Sequence, residues 1–395
     1  MRKGLILRNG LVPNSSWHKR VNHWKLSFLS HNIVTEIYSV YPISLKVNKN
    51  SPDSLKRILY FHAFRYFLSP YLILRKLIQE KPDFILLANG GFFEFFTIPL
   101  YCRFAKIPFV IDMVDTIGRE HRKKKTSLDY LIIMNKRMFN RYIASKAKVI
   151  FVISSTLESY YKNLLPNKKI LRSIPSTVNV EEFALAASKS TEELGNSVYE
   201  IFGNTDIIKI FYAGTITRLN GIEFFLKVLT EILSEQKINL KIIFAVIEGE
   251  IANLIELVND LGLREYLIIV PPVSQNQLPI LLCKSDILFI PEQGIEVANA
   301  GFPGKTAEYL MSGNPVITTN FSDLNLYLVD GLNACISDIG DFKAYKYNLQ
   351  KLLMDKEFRS SIGQAGKITA EKEFSHLNCA LPYVESVHSY YNNKS

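Results

Sequence analysis

The chain has 395 residues, of which 48% are hydrophobic, 12% aromatic and 21% charged. This length fits two or three domains, and the composition excludes a disordered or fibrous chain. Its four cysteines lie far apart without a C-x-x-C pair, which excludes a disulfide scaffold or zinc module and favours a reducing compartment. Neither the first ten residues nor the apolar stretch 84–102 fits a signal peptide or membrane span, so the sequence predicts a cytoplasmic protein.

Charge is distributed unevenly along the chain. Residues 1–175 contain 30 Lys and Arg against 10 Asp and Glu, whereas residues 176–395 contain 17 against 27. The net charges of +20 and −10 predict two domains with different partners. We expect the basic half to bind an anionic membrane surface rather than nucleic acid, with RKKK at 122–125 and the segment 60–77 as its strongest candidates. The alternative is a solvated basic face that only aids solubility.

Apolar runs of strand length alternate with segments of helical length in both halves, which is typical of parallel βαβ units. A helix is predicted over 16–30, because Trp17, Val21, Trp24 and Phe28 share one helical face. Residues 176–206 interrupt the alternation and are interpreted as a linker region. The predicted strands are 4–9, 84–89, 108–114, 148–154, 207–214, 240–247, 266–272, 286–292 and 314–320. The sequence therefore predicts an α/β protein with two Rossmann-like domains that face each other across a cleft.

The most informative segment is 292–320, EQGIEVANAGFPGKTAEYLMSGNPVITTN. Pro303 suits the first turn of a helix and Gly313 its C-terminal cap, which predicts a helix over about 304–312. Its amino end would offer free N–H groups to a phosphate, and Lys305 would add a full positive charge. Glu308 shares the helix face of Lys305 and suits two ribose hydroxyls. A Lys305–Glu308 surface pair without a ligand is the alternative.

The order of residues in this segment resembles the nucleotide-binding motif of retaining glycosyltransferases with the GT-B fold, sequence family 4. Residues 212–229 resemble the opening strand and loop of that family's second domain, and 152–183 resemble the segment that leads into its interdomain linker. The resemblance implies an acceptor-binding domain over 1–180, a nucleotide-sugar-binding domain over 181–375, and a C-terminal helix within 376–395 that packs back on the first domain. The matching features of the segment are a glycine-containing loop, Lys305, Glu308-Tyr309, Gly313 and Pro315-Val316-Ile317.

The resemblance also implies the site residues. The expected catalytic residues are Lys305, Glu308, Arg218 and Asp115. The expected donor-binding residues are Gly10, Gly214, Thr215, Val273, Gly301, Phe302, Pro303 and Gly304. For two of these positions an ordinary structural role stays open, since Asp115 also suits a helix N-cap and Gly10 a turn.

The sequence departs from the family pattern at four positions. Ala300 stands where the family often has a first glutamate, and Thr215 and Asn220 replace two basic residues of the glycine loop. Val114 replaces the histidine that commonly precedes an aspartate, here Asp115. These changes keep a degenerate, non-catalytic reading open.

The function that the resemblance implies is transfer of a hexose from a nucleotide-sugar donor to a lipid-linked or saccharide acceptor in surface polysaccharide biosynthesis. No Asp-x-Asp motif occurs in the chain, so we expect a reaction without a metal or other cofactor. The first alternative is a sugar-nucleotide epimerase, which shares the two-domain architecture. The second is a nucleotide-binding or membrane scaffold protein without activity. The expected location is the cytoplasm or the inner face of the membrane.

Overall fold

The structure is a computed structural model in which the chain divides into two compact units. Unit 1 comprises Met1–Pro175 and His376–Ser395, and unit 2 comprises Ser176–Ser375. Each unit contains a six-stranded parallel sheet with helices in its connections, which confirms the predicted α/β class with two Rossmann-like domains. The described residues are 1–8, 16–39, 68–88, 90, 92–114, 127–190, 197–216, 221–249, 251–271, 273–274, 276–290, 292 and 301–392.

The sheet of unit 1 has the strand order β2-β1-β3-β4-β5-β6. Its strands are β1 (Arg2–Arg8), β2 (Ile33–Ser39), β3 (Phe84–Ala88), β4 (Phe109–Met113), β5 (Ile150–Val152) and β6 (Ile170–Arg172). Its helices before residue 175 are α1 (Ser16–Ser30), α2 (Ser69–Glu80), α3 (Phe92–Phe95), α4 (Ile98–Ala105), α5 (Ser127–Met138) and α6 (Ser155–Leu164). A π turn (Phe139–Ile143) and a short helical turn (Ala144–Lys146) follow α5.

The core of unit 1 follows from the apolar runs of the sequence. Every residue of β3, β4 and β5 is buried, as expected of central strands covered on both faces. On α1, Val21, Trp24 and Phe28 are fully buried, which confirms the predicted face of this helix. The side chain of Trp17 lies outside the described residues.

A buried ion pair lies inside unit 1 between Arg20 on α1 and Asp112 on β4. The Arg20 Nη2 atom lies 3.1 Å from Asp112 Oδ2, and the Asp112 side chain is 0% exposed. The Ser173 and Tyr383 hydroxyls donate to Asp112 Oδ1 at 2.8 and 2.6 Å. Arg20 Nη1 donates to the Ile174 carbonyl at 2.7 Å. The aspartate raises the pKa of Arg20 against the effect of burial, so the guanidinium stays charged.

The last twenty residues return to unit 1 and cover the α1 side of its core. The C-terminal helix (Leu381–Asn392) brings the Tyr383 ring to 4.3 Å from the Phe151 ring and 5.6 Å from the Trp24 ring, between centroids. Just before this helix, the Ala380 N–H donates to Ser27 Oγ at 3.0 Å. Residues from both ends of the chain therefore build one core.

The sheet of unit 2 has the strand order β12-β11-β10-β7-β8-β9. Its first strand, β7, therefore lies between β8 and β10, and the chain reverses its direction of winding at the β7–β10 neighbours. Such a switch point opens a crevice at the carboxyl ends of the strands. The strands are β7 (Ile208–Ile216), β8 (Leu240–Gly249), β9 (Leu267–Val270), β10 (Ile287–Ile290), β11 (Val316–Thr319) and β12 (Cys335–Ser337).

The stretch 176–206 is more than a linker, because it contains a helix. Asn179 caps this helix, α7, by accepting hydrogen bonds from the N–H groups of Glu181 and Glu182. Local capping thus makes a helix in a stretch that the sequence pattern indicated to be a linker region. The helices of unit 2 are α7 (Val180–Ala187), α8 (Ile222–Glu235), α9 (Ile251–Asp260), α10 (Leu278–Cys283), α11 (Thr306–Met311), α12 (Phe342–Met354) and α13 (Lys356–Glu373), with 3₁₀ turns at Ser197–Gly203, Arg264–Tyr266 and Leu324–Leu326.

The two ends of unit 2 lie side by side. The Val178 N–H donates to the Phe374 carbonyl at 2.9 Å, and Val178 and Ser375 form a parallel bridge. The chain thus enters and leaves unit 2 at one place. No helix in the described part of the chain combines the length and apolar character needed to cross a membrane.

We expect Asp112→Ala to lower the free energy of unfolding by about 3–5 kcal/mol, because it leaves the Arg20 guanidinium buried without its carboxylate. Tyr383→Phe should lower it by about 1.5–3 kcal/mol through loss of one hydrogen bond to a charged acceptor. Urea unfolding measures both, with exposed Asp338→Ala as the control. A loss no larger than that of the control would contradict the role of Asp112 as a buried charge.

Candidate functional site

The carboxyl ends of β7 and β10 form the switch point of unit 2. The two strands pair at Ile210↔Ile287 and Phe211↔Leu288, and both strands continue beyond these pairs. Gly214 and Thr215 lie in the last part of β7, at an irregularity of its ladder with β8. The segment after β10 leads to Lys305 and α11. The site predicted from the sequence therefore lies at the edge of the sheet where such folds bind ligands.

Lys305 is the central cation of this edge. Its Nζ atom lies 3.9 Å from the Tyr212 ring centroid and 6.0 Å from that of Tyr309, within the range of a cation–π interaction. Gly214 leaves the space that the ammonium needs, because a Cβ at that position would lie 2.8 Å from Nζ. Its φ of +148° also disfavours any side chain. A side chain at position 214 would therefore displace the Lys305 ammonium from its present place.

Tyr309 fastens α11 to β7. Its hydroxyl accepts a hydrogen bond from the Ala213 N–H at 2.8 Å, beyond the residues where β10 pairs with β7. The Tyr309 ring is fully buried, and burial raises the pKa of its hydroxyl well above the ordinary value. The Tyr212 hydroxyl donates to the Thr215 carbonyl at 2.9 Å. These two tyrosines fix the strand end against which Lys305 lies.

Two ionisable groups of the site have pKa values near neutrality. Burial lowers the pKa of Lys305 to about 8, while the charges of Glu292 and Glu308 partly oppose this change. Burial raises the pKa of Glu292 to about 7, and Lys305 partly opposes it. A half-buried cation beside two carboxylates can neutralise an anionic ligand and accept or hold a proton near pH 7.

Glu292 is a site residue that the sequence interpretation missed. The family spacing directed attention to Ala300, whereas Glu292 directly follows the β10 region, two residues after Ile290. The available signal was an acidic residue at the end of the apolar run DILFIPE. Its carbonyl accepts a hydrogen bond from Thr319 Oγ1 on the neighbouring strand β11. The backbone of this position is thereby anchored to the sheet.

The loop Gly301–Gly304 is held at both ends by serine hydroxyls. Ser322 Oγ donates to the Gly301 carbonyl, and Ser176 Oγ donates to the Gly304 carbonyl at 2.8 Å. The Phe302 ring packs on Tyr327 and Phe374, at centroid distances of 5.7 and 6.0 Å. Phe302 therefore acts as an anchor of the loop through its side chain.

The helix of the predicted motif is shorter than expected. It spans Thr306–Met311, so the prediction that Pro303 lies in its first turn is wrong. The Pro303 carbonyl instead accepts from the Thr306 N–H at 3.0 Å in a turn that precedes the helix. Gly313, at φ +79°, follows the end of the helix as predicted. The shift leaves Lys305 at the N-cap position rather than inside the helix.

The structure brings together only part of the predicted set. Lys305, Gly214 and Glu308 are neighbours through the contacts and charges described above. Val273 is half-buried after β9, which β8 separates from β7 in the sheet. Thr215 is exposed at the end of β7. The predictions for Gly10, Asp115 and Arg218, and the departures at Asn220 and Ala300, lie outside the described residues.

Comparison with known proteins supports a glycosyltransferase. Residues 200–369 match the family model described as Glycosyl transferases group 1, which confirms the resemblance drawn from the sequence. A stretch of 75 residues is 36% identical to the capsular polysaccharide biosynthesis glycosyltransferase CapM of Staphylococcus aureus. This alignment covers 19% of the chain and only 20% of that protein.

Solved structures share the fold over nearly the whole chain. A glycosyltransferase from Rickettsia africae is 15% identical, with a TM-score of 0.72 and 99% of each chain covered. Anabaena Alr3699/HepE, solved in complex with UDP-glucose, is 14% identical with a TM-score of 0.62, covering 98% of this chain and 100% of that one. At these identities the likeness shows the fold, which is that of GT-B glycosyltransferases.

We expect Tyr309→Phe to lower the free energy of unfolding by about 1–3 kcal/mol, because the buried Ala213 N–H loses its acceptor while the ring and its packing remain. Chemical denaturation measures the change. The exposed Tyr347→Phe is the matched control and should alter it by less than about 0.5 kcal/mol. Equal effects of the two substitutions would show that the hydroxyl does not fasten α11 to β7.

Proposed function

We propose that the chain is a retaining glycosyltransferase of the hexosyltransferase type, which transfers a sugar from a nucleotide-sugar donor to a lipid-linked or saccharide acceptor in surface polysaccharide biosynthesis. The observation that carries this proposal is the Lys305 ammonium, held 3.9 Å from the Tyr212 ring at the switch point of unit 2. The family match over residues 200–369 and the capsular polysaccharide relative support it. The UDP-glucose complex of a protein with the same fold supports the class of donor.

In the proposed reaction, the bond between the sugar C1 and the diphosphate oxygen breaks, and the diphosphate leaves with the electron pair. The acceptor hydroxyl oxygen then forms its bond to C1 on the face that the diphosphate leaves, and its proton passes to the departing diphosphate oxygen, so the configuration at C1 is kept. Negative charge grows on the diphosphate during this step, and Lys305 is placed to neutralise it. Removing one such preorganised charge typically costs about 100- to 1,000-fold in rate.

The other residues of the loop are proposed to orient the donor. The Glu308 carboxylate accepts hydrogen bonds from the ribose hydroxyls, and the backbone of Gly301–Gly304 approaches the diphosphate. Lys305 supplies the fixed positive charge that a divalent cation supplies in other transferases, so we propose a metal-independent reaction. Arg218, Asp115 and Gly10 keep their proposed roles at the diphosphate, the sugar hydroxyls and the donor phosphates.

The basic first half is proposed to bring the protein to its acceptor. Residues 1–175 carry a net charge of +20, which suits the anionic inner face of a membrane where lipid-linked acceptors are anchored. We therefore propose a cytoplasmic protein that binds this face peripherally. Nucleic acid is not proposed as a partner.

We expect one of UDP, GDP, ADP, CMP and TDP to raise the midpoint of thermal unfolding in the presence of EDTA. At 100 times its dissociation constant the ligand should stabilise the protein by about 2.7 kcal/mol, at roughly 2–4 °C per kcal/mol. Glu308→Gln should lower the affinity for that nucleotide by about 10- to 150-fold, since hydrogen bonds to a charged group contribute about 1.5–3 kcal/mol. The exposed Glu371→Gln is the matched control.

A flat response to all five nucleotides, or equal weakening by Glu371→Gln, would contradict the proposed donor site. Incubation with the nucleotide sugar and a lipid extract then tests the reaction. A transferase releases the nucleoside diphosphate, whereas an epimerase keeps it attached and a scaffold protein releases none. Strict dependence of the release on manganese would overturn the metal-independent mechanism.

We expect the affinity for the nucleoside diphosphate to fall as the pH rises from 6 to 9.5. Glu292, with a pKa of about 7, gains negative charge first, and Lys305, with a pKa of about 8, then loses its positive charge. Both changes make the site less favourable for an anion, and each lowers the affinity by at most about ten-fold per pH unit. Isothermal titration calorimetry across this range measures the decline.

Two substitutions separate the contributions of these groups. Glu292→Gln should remove the decline near pH 7, and Lys305→Arg should remove the decline near pH 8, because a guanidinium stays charged. A wild-type affinity that does not change between pH 6 and 9.5 would show that neither group faces the diphosphate.

A further inference from the structure

A groove of about 760 Å³ lies at the amino ends of β4, β5 and β6 in unit 1. The segments that lead into these three strands line it, namely 106–108, 147–148 and 167–169. We call it the amino-edge groove. In parallel α/β sheets ligands of the active site bind at the carboxyl ends of the strands, so this groove is a separate feature of unit 1.

The amino-edge groove is strongly basic. Among the described residues that line it, none is Asp or Glu. Burial lowers the pKa of Lys168, and the neighbouring charges of Lys146 and Lys148 lower it further. A bound anion would reduce the repulsion between these like charges. The basic lining residues are Arg103, Lys106, Lys146, Lys148, Lys168 and Lys169.

Specific contacts hold the groove in shape. The Tyr390 hydroxyl of the C-terminal helix donates to the Lys106 carbonyl at 3.2 Å, and Lys148 Nζ lies 5.6 Å from the Tyr390 ring centroid. Lys168 Nζ donates to the Ala147 carbonyl at 2.7 Å. The positive charges are therefore presented from a folded surface and not from a flexible tail.

A row of exposed apolar side chains lies on α4 and in the turn before it, beside the groove. Leu100 and Phe104 lie on α4 and are 59% and 78% exposed, and Phe96, in the preceding turn, is 43% exposed. Leu100 also lines the groove, together with Arg103 from the same helix. Because Leu100 and Phe104 are four residues apart on α4, they share a helix face, and Leu100 joins this apolar face to the basic groove.

We propose that the amino-edge groove and the apolar row form the surface by which this protein docks on an anionic bilayer. Basic side chains contact lipid phosphates while neighbouring aromatic and aliphatic side chains enter the boundary between headgroups and acyl chains. A soluble polyanion would match the charges of the groove but would leave Phe104 in water. The inference rests on the proposed function, for which it locates the membrane contact on residues other than the segments 60–77 and 122–125.

The test is sedimentation of the full chain with vesicles of phosphatidylcholine alone or with 30 mol% phosphatidylglycerol. The groove variant combines Arg103→Gln, Lys146→Gln and Lys169→Gln, three exposed side chains. Each basic residue at such a surface contributes about 1 kcal/mol, or roughly five-fold, so binding to the anionic vesicles should weaken about 100-fold. The control variant carries the same charge change on unit 2, namely Lys237→Gln, Lys343→Gln and Lys356→Gln.

The apolar row has its own variant. Phe104→Ser should weaken binding to anionic vesicles several-fold, and this loss should persist at 0.5 M salt, where charge contacts are screened. Tyr347→Ser, at an aromatic side chain of unit 2 that is 64% exposed, should leave binding unchanged. Loss in Phe104→Ser alone supports insertion into the bilayer.

Three outcomes would overturn the proposal. The first is equal loss in the groove and control variants, which would leave net charge as the only cause. The second is unchanged binding of the groove variant. The third is wild-type protein that binds inorganic polyphosphate through the groove but does not sediment with anionic vesicles. The nucleotide thermal shift, measured on the same proteins, separates these outcomes from a failure of the donor site.

Discussion

The carboxylate of Asp112 imposes the strongest constraint on the architecture of unit 1. It is 0% exposed in the middle of a parallel sheet, where an unpaired charge would cost several kcal/mol. Its partners come from three distant parts of the chain, Arg20, Ser173 and Tyr383. Tyr383 lies 271 residues after Asp112 in the sequence. The chain must therefore return from unit 2 to the first sheet, where the C-terminal helix packs. Unit 1 therefore consists of two separate stretches of the chain, whereas unit 2 consists of one.

Unit 2 uses a half-buried charge, that of Lys305, in a different way. In unit 1 the charges of Arg20 and Asp112 satisfy each other, and the pKa of Arg20 is raised. The charges near Lys305 offset its burial only in part, and its pKa is lowered to about 8. An anion that enters the site would stabilise the ammonium further. A satisfied pair thus suits a structural role, and an incompletely compensated cation suits a binding role.

The sequence predicted the strands well where apolar runs are continuous, because β3, β4 and β5 are buried along their whole length. The order of residues in a known motif also singled out Lys305, Glu308 and Gly214, which are neighbours in the structure, and their roles stay a prediction. The sequence interpretation missed Glu292 because the motif spacing directed attention to Ala300. It missed the role of Asp112 because the partners of this carboxylate are distant in the sequence and are brought together only by the fold. The helix α7 was missed because its cap at Asn179, rather than an apolar periodicity, defines it.

The discontinuity of unit 1 has a consequence for synthesis of the protein. A chain leaves the ribosome amino end first, and domains generally fold as units when their residues have emerged. Residues 176–375 form a contiguous stretch, so all residues of unit 2 are made before residues 376–395 of unit 1. Unit 1 lacks Tyr383 until the residues that follow unit 2 are made, and until then Trp24, Phe151 and Asp112 lack their contacts with this side chain. Synthesis of unit 1 therefore starts before that of unit 2 and is completed after it.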